Sequence, residues 1–260
     1  MKNKIVILLL LVLCSCRKND DNSLNDNSGN GYSHKTLRSY KIDGQIAEDY
    51  VYNSQGKLIR EHHYVGSALQ NIYVYQYNAG GKVELGYDLH ADSSLNGVSY
   101  LYYDPAGRII SDNFENITID SLFYDSSNRI NLVKAFFYPN SLSYFKEINY
   151  MNDSTREENY FFADSVFGWT ITTVYDDKIN PIFYLDNIVP VSLWKHNKLR
   201  ESSPQADSFG LIHASHGFQT FNIALLQYVS YEYNGDYPVK EYKSAANQPD
   251  TTTIEFTYEQ

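Results

Sequence analysis

Histidines, carboxylates and tyrosines are the side chains here that could do chemistry, and their spacing limits what that chemistry is. His213 and His216 stand three residues apart, which suits a shared metal only on a helix and only with a third converging ligand. No HExxH pattern accompanies them, so a polar loop is expected, with His213, His216 and Trp194 as candidate ligand contacts and no metal. His62 and His63 are adjacent in an alternating stretch and face opposite sides, so they cannot chelate together. Asp176, Asp177 and Asn180 offer oxygens but lack the ligand count and glycine of a calcium loop; capping a turn before Pro181 is the expected role. Gly80-Gly81 is followed by no lysine-serine pair opening a helix, so it is a turn and not a phosphate cradle. No G-x-S-x-G occurs, and Glu157 and Glu158 alternate across a strand instead of facing one reacting atom. No catalytic residue and no cofactor is therefore assigned, and the chain is read as a protein that is not an enzyme. The 25 tyrosines remain as the distinctive resource. Most are expected to pack, while exposed ones, with Trp169 and Trp194, suit stacking on sugar rings or peptide side chains.

The elements that position these residues follow from one repeated unit. In YLYYDPAGRII, residues 100–110, an aromatic strand meets a turn and an aliphatic strand returns. Asp104 can cap the turn, Pro105 presets φ at the second position, and Gly107 takes the positive φ that side-chain-bearing residues resist. This is a type I turn closed by a left-handed residue, the short hairpin loop with a bulge. The cassette recurs as YNSQGKL from Tyr52, YNAGGKV from Tyr77 and YDSSNRI from Tyr124, so Gly56, Gly81 and Asn128 take the place of Gly107. Weaker copies are YMNDSTR from Tyr150, YDDKINP from Tyr175 and YNGDYPV from Tyr233. The tyrosines at 52, 77, 103, 124, 150 and 175 lie 21 to 26 residues apart, a period that holds two strands and marks a repeat architecture. Asp43-Gly44 is a two-residue hairpin signal. Val83, Leu85, Tyr87 and Leu89 alternate with Lys82, Glu84 and Asp88.

The fold class is all-β: an antiparallel meander over residues 35–260, with one irregular insertion at about 187–221. That insertion includes a short helix expected from Pro190 and a turn at Ser203-Pro204. Residues 1–15 have a basic start and an apolar run too short to span a bilayer, and read as a cleavable leader. Residues 16–34 form a polar tether rich in Asn, Asp, Ser and Gly. Cysteine occurs only at 14 and 16, so the folded body has no disulfide and no thiolate metal site. The net charge of -10 repels nucleic acid and anionic lipid, and no nucleic acid partner is expected.

Leu13-Cys14-Ser15-Cys16 resembles the bacterial lipobox, which implies cleavage after Ser15 and acylation of Cys16, an anchor that needs no spanning helix. The following Arg17-Lys18-Asn19-Asp20-Asp21 is similar to the tag of surface-exposed Bacteroidetes lipoproteins. The repeated turns resemble YD-type repeats. With the leader, the YDDKINP segment and the terminal YEYNGDYPVKEY and TTIEFTYE, they resemble a Bacteroidetes lipoprotein family of unknown function with a porin-like barrel. The resemblance implies a closed or nearly closed antiparallel barrel, and closure removes the two exposed edges that a meander of some fourteen to sixteen strands would leave as an open sheet. It brings no active site. The tripeptides beginning at Asp120, Asp153, Asp164 and Asp250 resemble acceptors for O-glycosylation in exported Bacteroidetes proteins. The expected function is a lipid-held envelope protein at the outer membrane, binding a glycan, peptide or other small ligand at the barrel mouth. The alternatives are a structural or adhesive lipoprotein and an uncharacterised enzyme.

Overall fold

The structure, a computed structural model, describes residues 35–115, 117–137, 141–179, 196–203, 211–216, 219–224, 226–245 and 251–259. Readings on the leader, Cys16, the tether, Asn180, Trp194 and the segment from Pro190 lie outside the described residues.

Among the described residues all regular structure is strand. The first nine strands are β1 (Thr36–Ile42), β2 (Gln45–Tyr52), β3 (Leu58–Val65), β4 (Ala68–Tyr77), β5 (Val83–His90), β6 (Leu95–Tyr103), β7 (Ile109–Phe114), β8 (Thr118–Tyr124) and β9 (Ile130–Phe137). They are followed by β10 (Ser141–Asn152), β11 (Thr155–Phe162), β12 (Phe167–Ile179), β13 (His196–Ser202), β14 (Leu211–His216) and β15 (Gln219–Ala224). The last three are β16 (Leu226–Asn234), β17 (Tyr237–Ala245) and β18 (Thr251–Glu259). Sixteen of them close a barrel in which every pairing is antiparallel, and β1 meets β18 to seal it. No unpaired edge is left along that wall, the advantage closure has over a sheet of this length left open. β14 and β15 form a separate two-stranded sheet.

Local turn chemistry sets the strand ends. Gly56, Gly81 and Gly107 take φ of 73°, 77° and 82°, and Asn128 takes 63°. In each turn the residue after the tyrosine accepts the backbone N–H of this left-handed residue, at 2.8 to 3.0 Å. The capping side chain accepts one position later: Asp104 Oδ1 takes the Arg108 N–H at 2.8 Å, and Asn53, Asn78 and Asp125 do the same. Pro105 sits at the second turn position, as its fixed φ suits. Pairing slips by one residue at Tyr52, Tyr77, Tyr103 and Tyr124, the bulge that accompanies this loop. Asp43 and Gly44 both have positive φ, as a two-residue hairpin requires.

Two expectations change. Residues 196–202 fall inside the anticipated insertion but are a wall strand, β13, paired on both sides with β12 and β16. Only β14 and β15 of that region stand outside the barrel order, because β13 alone finds a register on both neighbours. The alternation of β5 is also interrupted: a register shift separates Val83 from Leu85. Val83 is completely buried inside, whereas Leu85 lies opposite the exposed Gln76 and Tyr100.

Candidate functional site: the barrel interior

Alternate turns of a meander lie at opposite ends, so the cassette turns at 53–57, 78–82, 104–108 and 125–129 share one end with the start of β1 and the finish of β18. At this end each cassette tyrosine reaches back to the preceding hairpin. Tyr52, Tyr77, Tyr103, Tyr124 and Tyr150 donate their hydroxyls to the carbonyls of Leu37, Leu58, Val83, Ile109 and Ile130, at 2.6 to 2.9 Å. Tyr231 and Tyr258 do likewise to Lys198 and Pro238. The cation after the left-handed residue crosses the next tyrosine ring. Lys57, Lys82, Arg108 and Arg129 lie 4.3 to 5.0 Å from the ring centroids of Tyr77, Tyr103, Tyr124 and Tyr150. Lys82 Nζ also donates to Gly107 O at 2.6 Å, and Arg108 Nη1 to Asn128 Oδ1 at 2.7 Å.

The tyrosine and the cation of each motif therefore find partners outside their own turn, which spacing along one hairpin does not reveal. Above the turns, Leu37, Tyr50, Leu58, Val83 and Leu101 form one buried cluster, and Leu122, Ile130, Val133 and Ile148 form a second. Ile109 packs against both, giving an apolar floor inside this end.

Beyond the floor the inward positions turn polar. Glu48, Glu61, His63, Tyr73 and Asp88 line adjacent strands β2 to β5, in register across the sheet. His63 Nδ1 lies 3.1 Å from Glu48 Oε1, and its Nε2 lies 3.4 Å from Glu61 Oε2. Burial pulls the His63 pKa down, but the bond to Glu61 and the charges of Glu48, Glu61 and Asp88 outweigh it and hold the imidazole above its ordinary value. Burial pushes Glu48 up, against the opposing charge of His63 and the Tyr50 hydroxyl bonded to it. Asp88 accepts the side-chain amides of Asn71 and Asn96 at 2.9 and 2.6 Å.

Further round, Asp112 and Asp120 stand directly opposite one another on β7 and β8. Burial raises Asp112 to about 6, offset in part by a bond from Ser99. Burial and the charge of Asp112 raise Asp120 to about 6, against the pull of Lys146. Asp112 Oδ1 is buried without a hydrogen-bond partner. On β10 and β11, Glu158 bridges Lys146, at 3.0 Å, and Arg156, all three almost fully buried. Burial raises the Glu158 carboxyl, but the Arg156 and Lys146 charges dominate and bring it to about 2. Tyr160 bonds the same carboxylate and stacks on Trp169, with centroids 5.0 Å apart.

Trp194 lies outside the described residues, and His213 and His216 are on β14. Three apart on a strand, they lack the helical spacing that a shared metal requires. Among the described residues no group of three or more histidine, cysteine or acidic residues is arranged to hold a metal. Asp176, on β12, accepts the Lys178 and Asn197 backbone N–H groups at 2.9 and 3.0 Å and the Tyr233 hydroxyl, while the turn before Pro181 lies outside the described residues. The acids at 48, 61, 112, 120 and 158 were missed. A charge recurring at the inward alternate position of successive strands was the available signal, once the bulges are allowed for. Ser154 and Ser165, in two of the glycosylation-like tripeptides, are exposed in turns, whereas Ser121 lies on a wall strand.

No family model and no curated protein matches the chain. Among solved structures, it is similar to a porin-like protein from Bacteroides uniformis ATCC 8492, with TM-score 0.54 and 12% identity over 86% of this chain and 96% of that one. A porin-like protein from Bacteroides vulgatus ATCC 8482 matches with TM-score 0.42 and 12% identity over 87% and 99%. At such identities the first likeness establishes the shared barrel fold.

Proposed function

We propose that this protein is a non-catalytic binding module of the cell envelope, which admits a small polar ligand through the barrel end opposite the tyrosine floor. The observation that carries this reading is the asymmetry of the interior. One end is filled by interlocked tyrosines and aliphatic side chains, and the band beyond it presents carboxylates, amides and aromatic rings, the groups that bind hydroxyl-rich or peptide ligands. The wall itself favours water outside: Arg60, Lys134, Glu147, Glu157, Lys240 and Glu255 occupy outward positions, and such charges are costly against lipid. A lipid on Cys16 then supplies the attachment to the outer membrane, with the start of β1 at the floor end. The test is calorimetric titration of the mature chain with neutral and charged oligosaccharides and peptides, alongside Glu48→Gln. Binding that weakens in the variant supports the reading; no binding by any compound refutes it. Cys16→Ser should move the protein from the membrane to the soluble fraction, and retention on the membrane would refute the anchor.

A second reading, an adhesive protein, is favoured by Tyr100, Tyr102, Ile110 and Phe123, exposed on β6 to β8. It predicts a protein-sized partner that Tyr102→Ser and Phe123→Ser abolish.

A further inference from the structure

Arg156 breaks the repeat. The residue opposite each cassette tyrosine across the turn is Leu58 for Tyr52, Val83 for Tyr77, Ile109 for Tyr103 and Ile130 for Tyr124. The same position opposite Tyr150 is Arg156. A guanidinium has thus replaced an aliphatic side chain of the floor, and it is only 1% exposed. Its Nη2 side meets Glu158, but Nε and Nη1 are buried without an acceptor. Directly opposite on β12 stands Thr173, also 1% exposed, whose hydroxyl is buried beside the Tyr175 phenol. Trp169, on the same inward face of β12, adds an indole N–H that is equally unmatched. Lys146 and Arg156 both meet the carboxylate of Glu158, and Nε and Nη1 of Arg156 and the indole N–H of Trp169 remain as buried donors without an acceptor.

We propose that Arg156 and Thr173 form the floor of a subsite for the carboxylate of a small ligand bound in the lumen. This rests on the lumen-binding reading above. The planar Nε and Nη1 edge of the guanidinium fits two carboxylate oxygens side by side, and the Thr173 hydroxyl donates to one of them. The ring of Tyr175 covers the guanidinium on one side, 5.5 Å from Cζ, so the ligand approaches from the lumen, with local side-chain movement. Glu48, Glu61 and Asp88 on the far strands repel a second negative charge, so the preferred ligand carries one carboxylate among neutral or cationic groups. Acidic sugars and peptides with a free C-terminus both have this chemistry.

The experiment titrates the mature chain with a galacturonate oligosaccharide and its methyl ester, and with a short peptide as free acid and as C-terminal amide. One acid should bind about tenfold or more tightly than its neutral counterpart, and the arm that binds identifies the source. Arg156→Leu, which restores the aliphatic type that the other repeats carry there, should abolish that preference. Should this variant not fold, Thr173→Val should reduce the preference several-fold without altering charge. Equal affinity of wild type for acid and neutral forms, or a preference that survives both substitutions, overturns the subsite while leaving lumen binding intact. No binding by any of the four compounds overturns both.

Discussion

Asp112 should be a liability above pH about 6, and removing its charge should stabilise the protein in a pH-dependent way. In the folded chain its carboxyl titrates near 6, against an ordinary value of 3.8. The folded state therefore holds a proton between these values that the unfolded chain has released, which favours folding at low pH. The advantage is lost as the pH rises through about 6. The interval corresponds to about 3 kcal/mol, and residual solvent at the site brings a reasonable expectation to about 2 kcal/mol. Asp112→Asn keeps the shape, retains an oxygen to accept from Ser99, and offers its amide to Asp120 across the strand pair. It should raise stability by about 2 kcal/mol at pH above about 7, or about 4–8 °C in Tm, and by nearly nothing below pH about 4. Part of the Asp120 shift comes from Asp112, so the variant also eases ionisation of its neighbour. Urea unfolding followed by Trp and Tyr fluorescence at several pH values measures this directly. A variant less stable than wild type near pH 7, or an increment that does not shrink on acidification, would refute the reasoning.

Three further expectations concern the hairpin end and the histidine. Gly107→Ala and Gly56→Ala both force alanine to positive φ, but only the new Cβ at 107 meets a neighbour, Lys82 Nζ at 1.8 Å. Displacing that lysine breaks its bond to Gly107 O, so thermal unfolding should show a loss of about 2 kcal/mol for Gly107→Ala against about 1 for Gly56→Ala. Tyr77→Phe deletes the hydroxyl that holds Leu58 O and should cost about 1 kcal/mol; an unchanged urea midpoint would show that the ladder of tyrosines is ornamental to stability. His63 is held above its ordinary pKa, so the stability it contributes is present below about 6.5 and fades as pH rises through the raised value. His63→Gln should therefore destabilise the protein more at pH about 5.5 than at pH about 8, read from denaturation midpoints at both.

Glycine and asparagine at 56, 81, 107 and 128 could be placed from the sequence because positive φ is a local demand, met by few residue types and independent of distant contacts. Alternation and a fixed period likewise predicted a meander of strands, whereas closure was implied only by the family resemblance, and the sixteen-strand wall bears both out. The excursion was harder to divide. β13 carries no cassette turn, and its membership of the wall depends on pairing with β16, beyond a separate hairpin. The acidic band and Arg156 were hidden for a related reason. A bulge at each cassette tyrosine shifts the alternation by one, and each shift exchanges inside for outside. Composition, turn chemistry and periodicity thus determined that this chain would be a meander of hairpins. Only the folded hairpins, with their registers and bulges, decided that Asp112 faces Asp120, that Lys146 reaches Glu158, and that Arg156 stands at an aliphatic position of the floor, because each pairing depends on register and not on residue type alone.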